Sequence, residues 1–205
     1  MRGPLVGSLA AAVAVTSGLI DGVGAEQWSA PTPCTDWTVR ALVTHLVLGD
    51  RLFVTALHGG ELPAAMAELR RTADVDQLGA DAGTVYRAGA ERLVAAFSEN
   101  GVLEKTVTVP LGTVPVPVAL HLRIVETLVH GWDVAVATGQ RPRFPDALVE
   151  GEIAATRRML ADLVPADLPP GSPGRRPFAP SVAEPAGGTP IDRLAALLGR
   201  QAQPA

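Results

Sequence analysis

The sequence predicts an all-α protein, a helix bundle with a short extended connector and a proline-rich C-terminal tail. Three observations lead there. Apolar residues recur at helical spacing in several long segments, Gly or Pro closes most of them, and only one short stretch alternates with the two-residue period of a strand. The 205 residues, 47% of them hydrophobic, suffice for one globular core. We expect residues 1–164 to form the helical domain and 165–205 a tail with a short docking helix.

The first expected helix contains Leu5, Leu9, Ala12, Val13, Thr16 and Leu19 near helical spacing. The same stretch has the layout of a secretory signal peptide, with Arg2, an apolar run and a small-residue end at Val23, Gly24 and Ala25, so two readings stand here. No run reaches about 18 uninterrupted apolar residues, so no membrane span is expected. "WSAPTPCTDW" is a loop, after which Thr38 caps a second helix with the stripe Val39, Leu42, Val43, Leu46, Phe53 and Leu57, ended by Gly59 and Gly60. A helical stretch over 62–72 is weakly marked. A third helix carries Val85, Ala88, Leu93, Ala96 and Phe97 before Asn100 and Gly101 stop it.

"KTVTVPLGTVPVPV" alternates and then turns at Leu111 and Gly112, which reads as a short hairpin or extended pair. Helix returns from Pro117 to Thr138, closed by Gly139, and again in "DALVEGEIAATRRMLADL". Beyond it, prolines at 165, 169, 170, 173, 177, 180, 185 and 190 dictate extended chain, apart from "PIDRLAALLGR", whose Ile191, Leu194 and Leu198 can dock on the body.

A net charge of −4, with Lys105 the only lysine, leaves no basic stripe for phosphates, so nucleic acid is not an expected partner. Cys34 is the only cysteine, which excludes an internal disulfide framework and fits a reducing, cytoplasmic compartment. Its thiol reads as a reactive group, a metal ligand or a small buried hydrophobe.

"ETLVHGWDVA" concentrates polar chemistry in an apolar helix. At 100° per residue, Glu126, His130 and Asp133 share a strip about 60° wide, flanked by Leu122 and Val129, while Ile124, Leu128 and Ala135 occupy the opposite side. No solvated face is left for the charges. A buried carboxylate requires a cation, donors or a metal. Glu126 and His130, one turn apart, have ligand spacing, and His45 on the border of the second helix's stripe is the candidate third donor. Two imidazoles and one carboxylate suit zinc with open coordination positions, and also nickel, iron or manganese. Asp133, one turn from His130, reads as the carboxylate that orients a ligating imidazole. The bland alternative is a satisfied core histidine, with Glu126 paired to Arg123 at i, i+3. His121, across the helix from Glu126, and His58, in a C-terminal turn, read as structural.

"WSAPTPCTDWTVRALVTHL" followed by "RIVETLVHGWDVAVATG" resembles the metal-binding domain of mycothiol-dependent maleylpyruvate isomerases and of the wider DinB-like four-helix superfamily, and the closing "PFAPSVAEPAGGTPIDRLAALLGR" is similar to the end of a single-domain metal-binding branch. The resemblance implies a DinB-like four-helix bundle in which His45, Glu126 and His130 bind a divalent metal, usually zinc. It also implies a low-molecular-weight thiol, mycothiol or similar, as cofactor, with a small electrophile isomerised or receiving the sulfur. The isomerase has a second, C-terminal domain where this sequence has the proline-rich tail, so the fold and metal site are expected to transfer further than the reaction. The rival expectations are a metal-dependent hydrolase and a non-enzymatic metal- or ligand-binding protein. A homodimer is compatible with each.

Overall fold

Proline at N1 opens α1 (Pro4–Asp21), where the missing N–H is one that a helix start leaves unpaired in any case. The computed structural model describes residues 3–34, 37–63, 66–67, 77–79, 81–110, 112–163 and 178–201. Of α1, Val6, Leu9, Ala12, Val13, Leu19 and Ile20 are buried, so the apolar N-terminal stretch serves as a core helix here, although it is long and apolar enough to cross a membrane. Cleavage at Ala25 would strip that face from the helices it covers.

A 3-10 turn (Ala25–Ser29) leads into a loop closed by Thr32, whose hydroxyl donates to the carbonyls of Cys34 and Trp37. Thr38 then caps α2 (Val39–Leu57) by accepting from the Ala41 N–H at 3.3 Å, as the sequence predicts. Residues 62–63 and 66–67 are helical, and the rest of the expected 62–72 segment lies outside the described residues. The next helix, α3 (Ala82–Phe97), buries Tyr86, Gly89, Ala90, Leu93 and Val94. Val85 and Ala88, expected on its core stripe, are only half-buried, because the face that meets α1 and α2 is rotated toward Tyr86.

The connector is a two-stranded antiparallel hairpin, β1 (Thr106–Val109) and β2 (Gly112–Pro115), with Val107 opposite Val114 and both facing the core. From it rises α4 (Val116–Thr138), the most buried helix of the chain, whose end is set by Gly139 at φ 71°, a left-handed conformation that glycine adopts without a Cβ clash. The described chain is thus mostly helical with one small hairpin. α4 packs on α1 and α2, α3 packs on the same two, and α5 (Asp146–Leu163) covers α4 from outside. A close approach of α1 to α4 depends on Gly131: a Cβ there would stand 2.5 Å from Thr16 Oγ1 and 2.9 Å from the Phe144 ring. Thr16 uses that proximity to donate to the Thr127 carbonyl at 3.1 Å.

Residues 178–189 run without regular structure, as the prolines dictate, into α6 (Pro190–Leu197). Ile191, Leu194 and Leu198 are buried against α4 and α5, and Trp132 of α4 donates its indole N–H to Asp192 at 2.8 Å. The docking helix predicted from the sequence forms; the tail's residues 165–177 and 202–205 lie outside the described residues.

Candidate metal centre

Leu42, Val43 and Leu46 of α2 are fully buried, and their spacing leaves His45 at the edge of that face, turned toward α4. The imidazole is 36% exposed and its Nε2 lies 3.4 Å from Glu126 Oε2. Ligand atoms of His45, Glu126 and His130 all lie within 4.8 Å of one another. Bonds of about 2.0–2.1 Å in a tetrahedral site put neighbouring ligand atoms roughly 3.3–3.4 Å apart, so the His45–Glu126 separation is that of a ligand pair. Two imidazoles and one carboxylate from two helices are a donor set that fits a divalent ion with positions left open.

Asp133 bonds His130: its Oδ2 lies 2.9 Å from Nδ1. The carboxylate accepts, so Nδ1 carries the proton and Nε2 keeps a free lone pair, the tautomer a metal ligand needs. Burial lowers the His130 pKa further than Asp133 raises it, and the ring is neutral at pH 7. Burial by itself pushes Glu126 up, but a long hydrogen bond to His45 and the charge of Arg123 outweigh it and hold the carboxyl at about 2. Both groups therefore stand in ligand-ready protonation states.

The ion pair of Glu126 with Arg123 is present too, at 2.8 Å. It does not replace the cluster; it steadies it. Arg123 is 1% exposed and its other arm donates to buried Asp50 at 2.6 Å. Sequence reasoning missed Asp50, although a signal was there: it lies four residues after Leu46 and three before Phe53, a carboxylate on the core stripe of α2.

Trp37 walls one side, its ring centroid 4.6 Å from that of His45 and 5.8 Å from that of His130. Behind His130, ligand atoms of Cys34, His130 and Asp133 form a second close group. Arg200, from the residues after α6, fills that side: its Nη2 donates to Cys34 Sγ at 3.4 Å and its Nε lies 3.5 Å from Asp133 Oδ2. Cys34 is thus half-buried and hydrogen-bonded, neither a plain core hydrophobe nor an activated nucleophile, since burial pushes its thiol up more than Arg200 lowers it. No local pattern announces a contact between residues 166 positions apart. His121 pairs with Glu152 at 2.9 Å and His58 with Glu99 at 2.8 Å, both away from this cluster.

Residues 9–135 match the family model of the mycothiol maleylpyruvate isomerase N-terminal domain. The chain belongs to that family. Among curated proteins it is similar to the uncharacterised Mycobacterium tuberculosis protein Rv0738, 34% identical over 89% of this chain and 90% of that one. A second uncharacterised M. tuberculosis protein, Rv0036c, is 31% identical over 83% of this chain and 71% of that one. The crystal structure of the mycothiol-dependent maleylpyruvate isomerase superposes with a TM-score of 0.56 at 17% identity, covering 72% of this chain and 67% of the isomerase. A point mutant of the same enzyme gives 0.52 at 18% identity with the same coverage. The matched span of the isomerase N-terminal-domain family contains both donor-bearing helices, α2 and most of α4.

Proposed function

We propose that the chain binds a divalent metal, zinc first, through His45, Glu126 and His130, and uses a low-molecular-weight thiol of the mycothiol type to isomerise a small electrophile or to transfer sulfur to it. In this reading α1 to α4 are the DinB-like four-helix bundle, residues 1–164 the metal-binding domain, 165–205 a docked tail, and the protein is cytoplasmic. The observation that carries it is the convergence of three donors from two helices in a member of this isomerase family. A bound divalent ion would supply Lewis acidity, keeping a thiol ionised at neutral pH.

The chain's own residues do the rest. Asp133 keeps the proton on Nδ1 of His130 and directs Nε2 outward. His45 and Arg123 hold Glu126 anionic, and Arg123 fixes its position. Trp37 shields the two imidazoles from water on one side, and the partly exposed His45 marks the side from which small molecules arrive. Burial pushes the Cys34 thiol up, and in this reading the sulfur comes from an external thiol.

Metal analysis of the purified protein tests the site. About one divalent ion per chain is expected, lost in Glu126→Ala and in His130→Ala. Electrophiles, maleylpyruvate among them, are then turned over with mycothiol and not without it. Turnover independent of thiol would make the protein a hydrolase; bound metal with no turnover would leave a binding protein. Wild-type protein free of metal after growth in zinc would sink the proposal.

A further inference from the structure

On the other side of α4, His121 faces α5. Glu152 of α5 is 3% exposed, and its two carboxylate oxygens lie 3.1 and 2.9 Å from Nδ1 of His121. A buried carboxylate is costly unless a partner answers it, and His121 is its hydrogen-bond partner among the described residues. The pairing fixes the imidazole and leaves Nε2, on the far edge of the ring, as its remaining polar atom. The ring is not buried with its partner: 32% of the side chain is exposed, and it lines a cavity of about 360 Å³.

The walls of that cavity are apolar, Val114 and Pro115 from β2, Val118 from α4 and Met159 from α5. Ala155 and Arg158 of α5 complete the lining. Its neighbour Arg157 pairs with Glu184 at 3.1 Å, but Arg158 has no ion-pair partner among the described residues. A volume of this size, mostly apolar and with a few convergent polar groups, is that of a small-ligand site. The polar groups define the ligand. Glu152 is buried behind the imidazole and accepts from it, so the charge that faces the cavity is the single guanidinium, whose fork of donors matches a carboxylate.

We propose that this cavity binds a small monocarboxylate with an apolar body, the carboxylate meeting Arg158 and the body resting on Val118 and Met159. Glu152 lies behind the imidazole, where it orients His121 without touching the ligand. Around α4, positions 121 and 126 are about 140° apart, so this site is distinct from the His45, Glu126 and His130 cluster. It does not depend on a metal being bound there.

The full chain labelled with ¹³C at its methionine methyls provides a local readout, since Met159 is one of three methionines and Met159→Leu assigns its signal. Titration with phenylacetate is expected to shift the Met159 methyl saturably. Arg158→Gln, at an exposed position, is expected to raise the Kd about tenfold or more, and the neutral phenylacetamide to bind about tenfold more weakly than phenylacetate. No saturable shift at Met159, equal affinity in Arg158→Gln, or equal binding of the amide would each overturn the assignment.

Discussion

Arg123 serves two carboxylates from inside the protein, Asp50 through Nη2 and Glu126 through Nη1. Removing a charge from water is tolerable only where others answer it, and this guanidinium is answered twice. The hydrogen bond to His45 and the charge of Arg123 together keep Glu126 ionised well below the ordinary carboxylate range, which gives acid stability a defined sign. Glu126 has a folded pKa of about 2 against an ordinary 4.5, so its contribution is complete above 4.5 and lost as pH falls toward 2. His130 is also depressed, from an ordinary 6.5, so the fold favours the neutral ring and loses that contribution as pH falls below 6.5. Urea unfolding of chelator-treated protein between pH 7.5 and 3 is expected to show stability falling from below 6.5 and more steeply below 4.5. Glu126→Gln should remove the second component. Asp133, fully buried and bonded to His130, acts one step behind the donors. Asp133→Asn is expected to weaken metal binding by about 10–100-fold, measured by competition with a chromogenic chelator, with helicity unchanged.

At the scale of the element, α4 carries most of the molecule's organisation. It must pack on α1, α2, α5 and α6 at once, and Gly131 is where α1 comes closest. Gly131→Ala is expected to cost about 1–3 kcal/mol, because Thr16 and Phe144 must both give way; chemical denaturation measures it. Much of this was legible from the sequence. The Thr38 cap, the Gly139 stop and the strip of Glu126, His130 and Asp133 are local patterns, and local patterns are what periodicity and capping reveal. His45 was legible as the border of a stripe. The rotation of α3 was not, since Val85 and Tyr86 are both acceptable core residues and only the position of α1 and α2 decides between them. Asp50 was readable in principle, as a charge on an apolar face, but its partner Arg123 lies 73 residues away.

For the whole molecule, the chain after residue 177 matters more than its proline content suggests. α6 buries Ile191 and Leu194, ties Trp132 through Asp192, and brings Arg200 to Asp133 and Cys34. Leu194→Asp places a charge where Leu194 is fully buried, and is expected to release α6. Trp132 fluorescence should shift to the red as its hydrogen bond to Asp192 is lost, while the α2 and α4 cluster stays assembled.

Arg200 sets an order of events during synthesis. Cys34, Trp37, His45 and Glu126, which surround His130, all precede it in the chain, yet the guanidinium that faces Asp133 is made 67 residues after Asp133. Until it arrives, a carboxylate with no exposure in the finished protein has the Nδ1–H of neutral His130 as its side-chain donor, and no cation. The helices can therefore assemble early, but the back wall of the pocket closes only after residue 200 has been made.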